Sequence, residues 1–165
     1  PTMLYDPPGS GEYGLQPLWL RRLSALKSIV ALKKTTRDLR LFSQLIEAAG
    51  DGFAMIAGDE TVMLPCLAVG AVGCIGGGAN MFPELMLRLY DAHRKGDIAL
   101  ARTAHYAIER ANRLVERVGW PLAGKIALRA RDLPFEPVTR IEMPAVRSED
   151  HRQLVEYFRQ ERYLA

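Results

Sequence analysis

Cysteine and histidine are scarce, with two cysteines and three histidines in 165 residues. Cys66 and Cys74 stand in apolar runs without CxxC spacing or a clustered histidine, so zinc and thiol-redox motifs have no basis. They read as buried thiols of a reducing compartment. A membrane-length apolar run is also missing: Thr61 to Pro83 is nearly uncharged, but Pro65 and five glycines interrupt it. Nor is there a large excess of one charge. The net charge is +3, from 22 Lys+Arg against 19 Asp+Glu. The basic residues interleave with acids, as in Glu109-Arg110 and Glu116-Arg117, which is the pattern of a solvated helix face rather than a nucleic-acid groove. The N-terminus lacks a basic-then-apolar signal pattern. These absences leave a small-molecule partner, no nucleic acid, no membrane and the cytoplasm as the expected setting. With 48% hydrophobic and 25% charged residues, the chain can bury a core without disulfides or a metal.

Short apolar runs alternate with stretches of helical periodicity, the pattern of βα units on a parallel sheet. Four such units can be counted. The runs Thr2–Tyr5, Ile29–Leu32, Phe53–Ala57 and Ala71–Ile75 read as strands. The first three are followed by helices carrying Leu18, Leu20, Leu23 and Leu26, then Asp38 to Ala48, then Val62 to Val69. The fourth leads through Gly76-Gly77-Gly78 to a helix from Phe82 to Arg94. Each strand is nearly continuous in apolar residues, as expected when both faces are buried. After Gly96 only helices are predicted, over Asp97–Val118, Leu122–Arg131 and from Ser148 onward, with Pro134 to Pro144 as a linker. The expected division is residues 1–95 for the βα units and 96–165 for a helical region. Four parallel strands can make a small open sheet or half of a (β/α)8 barrel, which takes about 250 residues when complete. Polar residues at the carboxyl ends of the strands favour the barrel, whose chemistry sits on that face.

Lys33 is the most informative candidate. An amine at the end of a buried strand can be desolvated, which favours the neutral, nucleophilic form that imine formation with a carbonyl requires. The alternative is that Lys33 and Lys34 are a solvated pair opening a loop. Tyr5 ends the preceding strand and can relay protons at the same mouth, or simply pack with its hydroxyl in water. Thr35 and Thr36 can orient substrate or serve helix entry before Asp38. Asp59 and Glu60 can bind substrate hydroxyls or give the next helix an acidic start. The glycines from Gly70 to Gly78 have neither G-x-G-x-x-G nor P-loop spacing, so they read as permitting close backbone approach at a crowded mouth. His93, His105 and His151 read as surface residues.

The order Leu4-Tyr5-Asp6-Pro7-Pro8, Ile29-Val30-Ala31-Leu32-Lys33, Ala57-Gly58-Asp59-Glu60 and Gly70-Ala71-Val72-Gly73-Cys74-Ile75 with Ala79-Asn80 resembles the dihydrodipicolinate synthase/N-acetylneuraminate lyase family. The resemblance implies an α/β fold, a (β/α)8 TIM barrel of which this chain supplies the last four βα units and a C-terminal helical extension. It implies a class I aldolase or lyase, usually homotetrameric, that binds pyruvate or another 2-oxo acid as an imine and needs no cofactor or metal. Lys33 would then form the imine, with Tyr5 as the proton-relay phenol and Thr35 as a positioning hydroxyl. Ile75 would lie beside the bound acid, and Asp59 and Glu60 would face substrate hydroxyls. A dihydrodipicolinate synthase or a 2-keto-3-deoxy sugar acid dehydratase would use the same imine. A non-catalytic partial-barrel subunit is the alternative outside enzymology.

Two departures from the family pattern stand out. Asp6 replaces the Asn of the Tyr-Asn-x-Pro motif, and Gly9-Ser10-Gly11 follows where synthases carry an Arg for a substrate carboxylate, which speaks against dihydrodipicolinate synthesis itself. The N-terminal strands, with their Gly-Thr-Thr-Gly-Glu carboxylate loop, have no counterpart here. The chain also opens at Pro1 and runs directly into Met3-Leu4-Tyr5, as a piece of a longer chain would. A half-barrel exposes two sheet edges, so a missing N-terminal half is expected, on the same parent chain or on a separate polypeptide.

Overall fold

The computed structural model describes residues 1–161. Four parallel strands, β1 (Thr2–Asp6), β2 (Ile29–Lys34), β3 (Ala54–Ala57) and β4 (Gly73–Cys74), lie side by side in chain order. The connecting helices are α1 (Pro17–Ser24), α2 (Leu39–Ala49) and α3 (Met63–Ala68), and β4 leads into α4 (Gly78–Met81) and α5 (Pro83–Arg94). Beyond them lie α6 (Ile98–Val118), α7 (Leu122–Ala130) and α8 (Ser148–Glu161). Short 3₁₀ turns occupy Gly11–Tyr13 and Glu60–Val62.

The register sorts the strand residues onto two faces. Tyr5 pairs with Lys33, Lys33 with Ile56, and Ile56 with Gly73. One residue earlier, Leu4, Leu32 and Met55 form a row on the opposite face, because side chains alternate along a strand. Leu32 and Met55 are buried with Phe42 and Leu45 of α2 in the main core. The other face is partly open, with Met3 47% and Tyr5 55% exposed. The expectation that both faces are buried is therefore corrected in part: among the described residues the helix-facing side is covered, the other side is buried at Ala31 but open at Met3 and Tyr5, and β1 and β4 each keep one unpaired edge.

Helix boundaries follow local chemistry. Asp38 caps α2 by accepting from the Leu41 amide at 2.9 Å, and Asp97 caps α6 through the Leu100 amide at 2.9 Å. The helix expected from Phe82 is preceded by a separate turn, α4, and Pro83, which lacks an amide hydrogen, opens α5. α1 stops at Ser24, so Leu26 falls outside it and is exposed. β4 is shorter than predicted, although Val72 and Ile75 still donate to Met55 and Ala57 at 2.8 Å. Ala101, Ala104, Ile108, Ala111, Val115 and Val118 form the buried stripe of α6, which packs against α5 and α8. The Pro134 to Pro144 stretch contains neither helix nor strand. Cys66 is buried and Cys74 only half-buried. Burial raises their thiols to about 11 and about 12 respectively, and nearby carboxylates add to the effect.

Leu45 is wholly enclosed between the sheet and its helices. Leu45→Ala is expected to lower unfolding stability by about 2–5 kcal/mol. Urea denaturation checks this, and a loss below about 0.5 kcal/mol would contradict the assigned core.

Candidate active site

At the carboxyl ends of the strands a cavity of about 550 Å³ brings together all six residues expected from the sequence: Tyr5, Lys33, Thr35, Asp59, Glu60 and Ile75. Tyr5 and Lys33 meet because β1 and β2 place them directly opposite one another. The Lys33 Nζ lies 4.3 Å from the centre of the Tyr5 ring, within cation–π range. The Lys33 side chain is half-buried and opens to the cavity rather than being enclosed. Lys34 points to the other face and is buried, its Nζ donating to Asp6 Oδ2 at 2.6 Å. The solvated-pair reading of the two lysines therefore fails at Lys34, because strand alternation turns neighbours to opposite sides.

Thr35 and Thr36 also divide. The Thr36 hydroxyl accepts from the Asp38 amide at 3.1 Å and so belongs to helix entry. Thr35 Oγ1 is buried without a hydrogen-bond partner, on the cavity wall against Gly58. A Cβ on Gly58 would collide with that hydroxyl, which makes glycine necessary there.

The carboxylates part company in the same way. Asp59 accepts from the Thr61 amide at 2.9 Å and the Thr61 hydroxyl at 2.6 Å, the acidic start of a helical turn weighed from the sequence. It also accepts from Arg37 Nε at 2.8 Å. Burial works to raise the Asp59 carboxyl, but the bonds from Thr61 and Arg37 outweigh it and leave it below the ordinary aspartate range. Glu60 is buried and accepts from the Gly78 amide at 2.9 Å. Burial raises its carboxyl; its backbone hydrogen bonds oppose that, and the charge of Asp59 adds to it. Gly76 lies so close to Glu60 that a Cβ there would strike the carboxylate. Ile75, 43% exposed, supplies apolar wall.

Sequence reasoning missed Arg37, Asn112, Glu116 and Trp120 on the same cavity. Arg37 bridges Asp59 and Glu116, the latter at 3.1 Å, and so links the end of β2 to α6. Asn112 carried a usable signal, as the lone buried polar residue in the apolar stripe of α6. Trp120 carried none, since its place depends on the chain turning after Gly119 so that the indole packs on Gly77 and Gly124.

The family model described as "Dihydrodipicolinate synthetase family" matches residues 1–161. The chain belongs to the dihydrodipicolinate synthetase family. It is 36% identical over 128 residues to the 4-hydroxy-tetrahydrodipicolinate synthase of Thermodesulfovibrio yellowstonii, a match covering 78% of this chain and 44% of that protein. The family's solved structures show the same fold. A dihydrodipicolinate synthase from Bacillus anthracis superposes with a TM-score of 0.86 at 27% identity, over 96% of this chain and 54% of that one. YagE, a prophage protein of the family from E. coli K12 solved in complex with pyruvate, gives a TM-score of 0.84 at 22% identity, over 97% of this chain and 55% of that one. The chain thus spans about half the length of the family members it matches.

Glu60 provides a pH test. Its folded-state value lies above the ordinary 4.5, so the folded protein keeps a proton there that the unfolded chain has lost. Stability due to this group is therefore expected to fall as pH rises from 4.5 through the raised value. Glu60→Gln should remove that slope in denaturation curves taken across the window. A slope unchanged by the substitution would contradict the assignment.

Proposed function

We propose that this chain forms the part of a (β/α)8 barrel from the fifth strand onward and carries the imine-forming centre of a class I aldolase or lyase acting on pyruvate or another 2-oxo acid. The observation that carries the reading is the Lys33 amine, 4.3 Å from the Tyr5 ring at the mouth of a cavity at the carboxyl ends of parallel strands. The neutral Lys33 amine attacks the substrate's carbonyl carbon, forming a C–N bond, and the resulting carbinolamine loses water to give the iminium. In the cleavage direction the β-hydroxyl gives up its proton to Tyr5, the bond between the α- and β-carbons of the iminium breaks, its electron pair passes to the iminium to form the enamine, and the β-carbon leaves as an aldehyde. Protonation and hydrolysis of the enamine release the 2-oxo acid and restore Lys33. Tyr5 relays the protons, and the otherwise unpartnered Thr35 hydroxyl orients the acid. Ile75 lies beside the bound acid. Asp59, Glu60 and Asn112 supply polar groups to the acceptor.

The acceptor and the direction separate an aldolase from a synthase or dehydratase with the same imine. The relatives named as synthases do not decide between them, since Gly9-Ser10-Gly11 offers no arginine where synthases carry one. The open face and unpaired edges of the sheet call for the barrel's N-terminal half, and a homo-oligomer of completed barrels is the assembly we envisage. We divide the chain at residue 95, although α6 also lines the site through Asn112 and Glu116. Free thiols suit the cytoplasm, and among the described residues no helix is long and apolar enough to cross a membrane.

The test is borohydride reduction in the presence of pyruvate, applied to the completed barrel and read by peptide mapping. A reduced adduct is expected on Lys33 and on no residue in Lys33→Ala. Tyr5→Phe should slow turnover by about a hundredfold or more. Turnover that survives Lys33→Ala would overturn the imine mechanism, and an inert wild type would favour the non-catalytic subunit.

A further inference from the structure

Asp6 and Lys34 take no part in the chemistry just described, yet each follows one of its two central residues. Tyr5 is opposite Lys33 and Asp6 is opposite Lys34, so the second pair sits behind the first on the helix-facing side of the sheet. Both side chains are enclosed, 7% exposed for Lys34 and 4% for Asp6. A buried ion pair is weak evidence for stability, because desolvation offsets most of the attraction and an apolar pair of similar volume often serves as well. Its placement and its other bonds need a different explanation.

The Asp6 carboxylate ties together three pieces of chain. Oδ2 accepts from Lys34 Nζ at 2.6 Å and from the Leu15 amide at 2.9 Å, while Oδ1 accepts from Ser10 Oγ at 2.7 Å. It thereby locks the end of β1 to the end of β2 and closes the connection over residues 7–15, whose Pro8 lines the cavity. A one-residue slip of β1 against β2 would break the ion pair and turn Tyr5 away from Lys33. We infer that Asp6 and Lys34 are positioning residues: they hold Tyr5 against Lys33 and anchor the loop that walls the site. This deepens the proposed imine function and rests on it. It also gives a reason for Asp at the position where the family motif has Asn, since here the side chain faces a buried lysine.

The experiment compares wild type, Asp6→Asn, Asp6→Asn/Lys34→Met and Ser10→Ala in the completed barrel. It measures the denaturation midpoint, the rate of borohydride trapping on Lys33, and kcat and KM for the 2-oxo acid. Asp6→Asn is expected to lower both midpoint and trapping, because it strands a buried cation. The double variant should regain the midpoint while trapping stays slower by about tenfold or more, with kcat moved more than KM. A double variant that regains the wild-type trapping rate would reduce the pair to a structural role and overturn the inference. If the Asp6 variants do not fold, Ser10→Ala decides: trapping slowed several-fold at an unchanged midpoint supports the inference, and an unchanged rate overturns it. A wild type that forms no adduct fails the imine reading and this inference together. A wild type that forms one beside unimpaired variants fails this inference alone.

Discussion

Parallel pairing of β1 with β2 is the constraint on which the site depends. The register places Tyr5 opposite Lys33, and alternation along the strands then assigns every neighbour: Leu4 and Leu32 to the helices, Asp6 and Lys34 to a buried ion pair, Thr35 to the wall beyond. The amide of Thr35 donates to the Asp6 carbonyl at 3.1 Å and the amide of Gly58 to the Lys34 carbonyl at 2.9 Å, so the same ladder continues past the strand ends and carries the loops with it. A cavity built this way is held by backbone hydrogen bonds from rigid elements, which suits chemistry that depends on the separation of an amine and a phenol.

A second layer of control comes from close packing at the mouth. Gly58 and Gly76 let Thr35 and Glu60 approach backbone that any Cβ would obstruct. Arg37, lying across Asp59 and Glu116, ties β2, β3 and α6 around one opening. The helices after α5 are therefore more than an appendage: α6 packs on α5 through its small-residue stripe and brings Asn112, Glu116 and Trp120 to the site.

Much of this was legible in the sequence because its signals are local. Apolar runs ending in polar residues marked β1, β2 and β3, and the strand-end positions of Tyr5 and Lys33 followed from them. The family motifs then supported all six residues expected at the site, each of which lines the cavity. What could not be read depends on long-range geometry. Arg37 looked like any exposed arginine until its partners, Asp59 and Glu116, were placed beside it, 22 and 79 residues away in the chain. Lys34 looked like solvent because its partner lies 28 residues earlier. The face left open at Met3 and Tyr5 was foreshadowed only by the family resemblance, which implies half a barrel with an unfinished core, since an apolar strand by itself reads the same whether its second face is covered by this chain or by another.

That open face is the physical core of the account: a parallel sheet matching about half of the family's fold, with a candidate site walled on one side. Amide hydrogen exchange across β1 and β4, measured on this chain alone and again with the family's N-terminal half-barrel added, tests it most directly. Weak protection at these two strands that rises strongly on addition, with β2 and β3 little changed, is the predicted result. Full protection of β1 and β4 in the chain alone, unaltered by the added half, would contradict it.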